Sequence, residues 1–281
     1  MGPSKDIYTL AREPTETERL NAQHKQLISC IGYTLHPSIV ATLPTAPKVA
    51  ELATGTGAFI IDLAKELSPD AQLDGTDYSD AALPCQGQLP SNVRLGVADA
   101  KQAPPEESTG KYDVVCIRYI NPAMMPEDWA KVAAHAAALL KPGGALQFAG
   151  MGDFTQVKTV LGEHPGAFTA VTERAGRLGL ASLPHASWFV SNLFSVLVEA
   201  GFRDMRREVT TQDREPGSRS VFTKMSAGAI YALLRQQYLS KAERALGEEE
   251  VEEMRRGMDE EARKGMYMRC DLHQFVAWKK G

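Results

Sequence analysis

The chain has 281 residues, 43% of them hydrophobic and 23% charged, with 31 basic against 35 acidic residues and a net charge of −4. That length and composition suit one large globular domain, or a core domain with an elaboration. No basic block occurs of the kind that non-specific nucleic-acid binding needs, and no apolar window approaches the length of a membrane-spanning helix, so neither partner is expected.

Residues 1–20 hold no apolar signal core, and Pro3 and Asp6 break a myristoylation pattern. Cys30, Cys85, Cys116 and Cys270 lie far apart with no CxxC pair, which argues against zinc and fits a reducing compartment. A cytoplasmic location is the expectation. Residues 15–31 read as a helix behind Pro14, with a capping box at 15–18 and an apolar stripe of Leu20, Leu27, Ile28 and Ile31. Beyond Pro37, Pro44 and Pro47, strand-like segments at 48–53, 71–76, 92–98, 112–118 and 144–149 alternate with expected helices at 57–67, 79–87 and 127–140. Such alternation implies βαβ units and a parallel sheet. Lys141-Pro142-Gly143-Gly144 reads as a helix stop and tight turn.

After residue 150 the rhythm changes. Residues 151–184 are rich in Gly, Pro and Thr; 185–200 read as helix; 202–210 and 271–279 read as closing strands, with a helical insertion at 226–265 between them. Within that insertion Val251, Met254, Met258 and Ala262 share one face, and Glu252–Arg256, Asp259–Arg263 and Glu260–Lys264 are spaced to pair on the other, which is the pattern of a solvated helix back.

The chemistry concentrates in Glu51-Leu-Ala-Thr-Gly-Thr-Gly-Ala-Phe59, at the end of the first strand. Gly55 and Gly57 let the backbone turn sharply and approach a ligand, and the helix that follows presents free N–H groups. The third glycine of a dinucleotide fingerprint is missing, because Ala58, Phe59 and Ile60 follow Gly57. An acid still stands at the end of the second strand, in Gly75-Thr76-Asp77-Tyr78-Ser79, where a carboxylate accepts hydrogen bonds from both hydroxyls of a ribose. Asp99, followed by Ala100, ends the third strand and suits an adenine amine; Glu51 suits an ammonium group. Adenine, ribose, no pyrophosphate and an α-ammonium together describe S-adenosylmethionine, with S-adenosylhomocysteine as its product.

At these residues the chain resembles the class I methyltransferases, whose motif reads E/D-x-G-x-G-x-G; Ala53 replaces the first glycine, a small change expected to be tolerated. GTDYS, LPSNVRLGVADA, KYDVVCIRYI and LLKPGGALQF, with RLNAQHKQL and GYTLHPSI upstream and DLHQFVAWKK at the end, are similar to fungal natural-product methyltransferases of the gliotoxin N-methyltransferase type. The similarity covers most of 19–150 and the last ten residues. It implies an α/β, Rossmann-like class I fold with a seven-stranded, mostly parallel sheet in the order 3-2-1-4-5-7-6 and an added helical lid. The expected division is a lid at 1–45 and a core at 46–281, with helical insertions at about 151–184 and 226–265. One departure bears on the acceptor: relatives often read L-Q-W and then acids, whereas Leu146-Gln147-Phe148-Ala149-Gly150 carries no carboxylate before Asp153. That predicts a more apolar pocket or a different substrate.

Site expectations follow. The cofactor set is Glu51, Ala53, Thr54, Gly55, Gly57, Asp77, Tyr78, Asp99, Ala100 and Arg118, the last ending the fourth strand, where it suits the cofactor carboxylate or an anionic substrate, against an ion pair with a nearby acid. His24, on the apolar stripe of the first helix, is the candidate general base, against a buried structural histidine. Tyr33, Tyr119, Asn121, Met124, Met151, Phe154 and Trp188 are candidates to contact the acceptor, against simple packing; His36 and His273 read as structural. No metal set is visible. The expected activity is metal-independent transfer of a methyl group to N or O of a small secondary metabolite, by a monomer or homodimer. The alternatives are a non-methylating cyclisation or isomerisation on the same fold, and a regulatory homologue without turnover.

Overall fold

The computed structural model describes residues 14–162, 167–239 and 246–281, apart from a few side chains at the margins. The signal and myristoylation readings and most of the capping box lie outside the described residues and side chains.

The first helix, α1 (Pro14–Ile31), and a single turn, α2 (Pro37–Val40), precede β1 (Lys48–Leu52). His36 caps that turn, its ring accepting from the Ser38 backbone N–H, as a structural histidine at a helix boundary. Then come α3 (Ala58–Glu66), β2 (Gln72–Asp77), β3 (Val93–Val97), β4 (Tyr112–Arg118), α4 (Asp128–Leu139) and β5 (Leu140–Gly152). The second half adds β6 (Lys158–Val160), α5 (Ala170–Leu180), α6 (Phe189–Glu199), β7 (Phe202–Thr211), α7 (Arg219–Leu239), α8 (Glu248–Arg263), β8 (Tyr267–Arg269) and β9 (Asp271–Lys279).

Seven strands form one sheet in the order β3-β2-β1-β4-β5-β9-β7; β6 and β8 pair separately. Counted within the large sheet alone, this is the 3-2-1-4-5-7-6 order. Its neighbours run parallel from β3 to β5, and β9 lies antiparallel to both β5 and β7. The central β4 reads Val114-Val115-Cys116-Ile117 because helices cover both of its faces. On one face Trp129 of α4 packs 6.2 Å from Phe148 and 6.0 Å from Phe189 of α6. On the other, Phe59, Ile60 and Leu63 of α3 pack on Val49, Leu73 and Val114.

Two expectations need correction. Residues 79–87 form no helix, only turns and a short 3₁₀ segment at Gln86–Gln88. Pro84 removes a backbone donor and pushes Leu83 out of helical geometry. The strand expected at 144–149 starts at Leu140: Tyr112 pairs with Leu140 and Val114 with Ala145, so Lys141–Gly144 is taken up as a bulge within β5.

The helical elaboration has its own core, in which Val251, Met254 and Met258 of α8 meet Ile230 and Leu234 of α7 and Met266 and Met268. On the outer face of α8, Glu260 pairs with Lys264 at 3.1 Å, whereas Glu252 pairs with Arg255, one residue short of the expected Arg256. The carboxylate of Glu261, fully buried, accepts from the backbone N–H groups of Val171 and Thr172, both at 2.8 Å, and so supplies two acceptors to the first turn of α5. No described helix is long and apolar enough to cross a membrane.

Candidate active site

The loop after β1 is held in left-handed geometry at three positions: Ala53 at φ 57°, Gly55 at 59° and Gly57 at 72°. At Gly57 a Cβ would sit 2.7 Å from Leu95 Cδ1, so the glycine lets the loop pack against β3. Ala53 occupies a backbone region that costs an L-residue roughly 1–2 kcal/mol, so its place in the loop carries strain.

Asp77, at the end of β2, braces this loop. Its Oδ2 accepts from Gly55 N at 2.8 Å and its Oδ1 from Ser79 N at 3.2 Å. Asp99 Oδ1 accepts from Lys101 N at 2.9 Å, and the Lys101 ammonium reaches Asp128 at 2.9 Å. Both carboxylates and the Arg118 guanidinium line one cavity of about 310 Å³, together with Ala53, Gly55, Tyr78 and Ala100.

A relay of charged and polar groups runs from Arg118 into the interior behind this wall. Glu51 is fully buried; it accepts from Arg118 Nε at 2.9 Å and from the Thr54 hydroxyl. Burial pushes its carboxyl up, against Arg118 and Thr54, which hold it down. Arg118 Nη1 lies 2.9 Å from His24 Nδ1, and its guanidinium carbon lies 4.5 Å from the centre of the Phe59 ring. Because a guanidinium only donates, Nδ1 carries no proton, and His24 Nε2–H donates to Asp62 Oδ2 at 2.9 Å. Burial, and then Arg118, lower the His24 pKa against the pull of Asp62, in keeping with a neutral ring. Asn21 extends the tie by accepting from the Thr56 hydroxyl at 2.7 Å.

The other end of the cavity is apolar. Phe154, Leu180, Leu183, Phe222, Ile230 and Leu233 face it from the segment after β5 and from α5 and α7. Tyr119 is packed so closely that a Cβ on Gly150 (φ 70°) would meet its ring carbon at 2.8 Å. Burial raises the Tyr119 phenol well above its ordinary value and pushes the Cys270 thiol up to about 12. The Asn121 amide, also on the wall, donates to the carbonyls of Gly152 and Ala186, both at 3.0 Å. Asp153 turns its carboxylate to the N–H and hydroxyl of Thr155 and is not among the wall residues.

The structure therefore gathers Ala53, Gly55, Asp77, Tyr78, Asp99, Ala100, Arg118, Tyr119, Asn121, Met124 and Phe154 around one cavity. Glu51, Thr54 and Gly57 are not among its wall residues; Glu51 is tied to Arg118 and Thr54 to Glu51, and Gly57 packs against Leu95. His24 stands behind Arg118 with both nitrogens engaged, a geometry that orients Arg118 and leaves no free basic atom. Three acceptor candidates are placed off the wall. Tyr33 donates to Glu208, Met151 is fully buried in the core on the α4 and α6 side, and Trp188 packs against that same core. Sequence reasoning missed Arg19 and Gln23 on α1, Gln212 after β7 and the α7 face. The spacing of Phe222, Met225, Ala229, Ile230 and Leu233 was a visible apolar stripe, but what it faced was not. Among the described residues no group of three or more His, Cys, Asp and Glu is arranged to hold a metal ion.

Comparison with known proteins agrees with this fold. Residues 50–146 match a family described as a methyltransferase domain. The chain is 34% identical over 154 residues to methyltransferase grgD of a Penicillium species, covering 52% of this chain and 53% of that protein. It is 25% identical over 205 residues to N-methyltransferase verN of Clonostachys rogersoniana, covering 73% and 68%. The match thus spans about half the length of the Penicillium relative. Among solved structures, Haemonchus contortus phosphoethanolamine N-methyltransferase 2, in complex with phosphomonomethylethanolamine and S-adenosylhomocysteine, superimposes with a TM-score of 0.55 at 14% identity, covering 98% of this chain and 59% of that one.

Proposed function

We propose, for a chain that carries a methyltransferase domain on the class I methyltransferase fold, that it transfers the methyl group of S-adenosylmethionine to nitrogen of an apolar small molecule, without a metal. The observation that carries this reading is the cavity itself, which joins the Asp77, Asp99 and Arg118 wall to an apolar chamber.

The residues present fit the cofactor. Asp77 keeps acceptor capacity beyond its two backbone bonds for ribose hydroxyls. Asp99 and Ala100 flank the place for adenine, and Tyr78 and Ala53 complete the wall. Arg118, its charge balanced by Glu51, offers a guanidinium edge to the carboxylate of the amino-acid part. When bound, S-adenosylmethionine supplies a methyl group already activated on a sulfonium, so positioning and exclusion of water carry much of the acceleration.

The chamber end favours nitrogen over oxygen. Its titratable wall groups are Tyr119 and Cys270, and burial keeps both protonated. An uncharged amine nitrogen presents its lone pair without prior deprotonation and loses a proton to water after transfer, whereas a phenol needs a base first. In this reading His24 is a positioning residue for Arg118, and α1 acts as a lid, with its Leu20 lying over Gly55. The four cysteines are all free, which supports a cytosolic setting, and a monomer or homodimer suffices.

The test is incubation with S-adenosylmethionine and matched panels of neutral apolar amines and phenols, read by mass spectrometry. The expected result is an amine product heavier by one methylene, with equimolar S-adenosylhomocysteine. Methylated phenols alone would overturn the nitrogen assignment, and a converted substrate of unchanged mass would overturn methyl transfer in favour of a cyclisation or isomerisation.

A further inference from the structure

The apolar chamber holds one polar group whose position has no purpose within the protein. Gln212 follows β7, and its backbone is pinned on both sides: its N–H donates to Cys270 O at 3.1 Å, and its carbonyl accepts from Cys30 Sγ at 3.5 Å and from the Ser218 hydroxyl at 3.4 Å. Its side chain lines the cavity, the residue is 4% exposed, and its Oε1 has no hydrogen-bond partner. Leaving a buried amide oxygen unpaired is costly, and native interiors pair most such groups. Two neighbouring polar groups on this wall are already engaged. Asn121 donates to two carbonyls, and Cys270 Sγ donates to the carbonyls of Asp153 and Asp271.

From these observations we infer that Gln212 is a specificity-determining residue that accepts a hydrogen bond from an uncharged N–H or O–H group on an otherwise apolar acceptor. The inference rests on the methyltransferase reading and adds the acceptor's chemical class. A site built to hydrogen-bond a substrate donor rejects the analogue that lacks it, because its own polar atom is then left unpaired. A charged acceptor is disfavoured at this end, where Phe222, Ile230 and Leu233 offer nothing to replace its hydration.

The test uses three probes on the protein saturated with S-adenosylhomocysteine: indole, 1-methylindole and indole-3-carboxylate. Calorimetry, backed by saturation-transfer NMR, measures their affinities. Indole is expected to bind about tenfold tighter than 1-methylindole, the equivalent of about 1.4 kcal/mol, and indole-3-carboxylate to bind more weakly than either. Gln212→Leu should erase the indole preference while 1-methylindole binds as well or better. Gln212→Met, closer in shape, should do the same, and retained S-adenosylhomocysteine affinity verifies the fold of each variant. Equal binding of the neutral pair by the unaltered protein, no binding of either at millimolar concentration, or a preference that survives both substitutions would overturn the assignment. Absence of S-adenosylhomocysteine binding would instead count against the methyltransferase reading, and the neutral pair, measured without it, still decides the role of Gln212.

Discussion

Arg118 at the end of β4 donates to His24 of α1 across 2.9 Å, so the helix that covers the Gly-rich loop is fastened to the same guanidinium that lines the cofactor end of the cavity. The fastening runs on to Glu51 beneath the loop and to Asp62 on α3. It engages both ring nitrogens of His24. Truncating either end leaves a buried polar group unpaired, which costs about 1–3 kcal/mol.

His24→Gln is accordingly expected to weaken S-adenosylhomocysteine binding by about 5- to 30-fold, the effect of 1–2 kcal/mol, while kcat above about pH 7, where the ring is already neutral, is retained. A general base would behave otherwise: its loss would collapse kcat and remove the acidic limb of the profile. Steady-state kinetics across pH, with binding measured separately, distinguishes the two.

The same contact makes closure of α1 sensitive to acid. Arg118 and Lys65 face His24 as cations, and Asp62 faces it as a carboxylate. Burial holds the folded pKa of His24 below its unfolded value, so the neutral ring's contribution is complete above about pH 6.5 and is lost as pH falls from there towards the lowered value. Hydrogen exchange in α1 should therefore quicken at mildly acidic pH in the unaltered protein, and His24→Gln should flatten that response. Equal sensitivity in both proteins would place the acid response elsewhere.

Ala53 sits at φ 57° where the family motif carries glycine. Ala53→Gly relieves left-handed strain and is expected to stabilise by about 1 kcal/mol, visible as a rise of about 2–4 °C in Tm. A lower Tm would mean that the alanine methyl contributes packing that outweighs the strain.

Glu261 is the joint between α8 and α5. Glu261→Ala orphans two helix-end N–H groups, and a loss of about 2–4 kcal/mol is expected, confined to the helical elaboration. The cofactor end is built by other elements, so S-adenosylhomocysteine binding should survive while acceptor turnover falls. Protease sensitivity around α5, with calorimetry in parallel, reads both. A matching loss of cofactor affinity would show that the two ends fold as one unit.

What was legible in the sequence followed from local chemistry. The Gly-rich loop, the acids at the ends of β2 and β3 and the apolar strands each carry their signal within a few residues. The expected helix at 79–87 failed because Pro84 removes a backbone donor and breaks helical geometry before it. His24 was correctly placed on a buried stripe, but its partners lie 38 and 94 residues away, and no local pattern encodes such pairings. Gln212 had no signature at all: a glutamine after a strand becomes part of a site only because α7 folds across it. The acid-poor Phe148-Ala149-Gly150 predicts a more apolar pocket or a different substrate, and Gly150 alone of the three reaches the cavity wall.

The most direct test of the account is calorimetric titration of the unaltered protein and of Asp77→Ala with S-adenosylhomocysteine. The account predicts micromolar binding by the former and a loss of about 30- to 100-fold in the variant, from hydrogen bonds to a charged acceptor worth roughly 2–3 kcal/mol. No heat at millimolar ligand, or an affinity indifferent to Asp77, would contradict it.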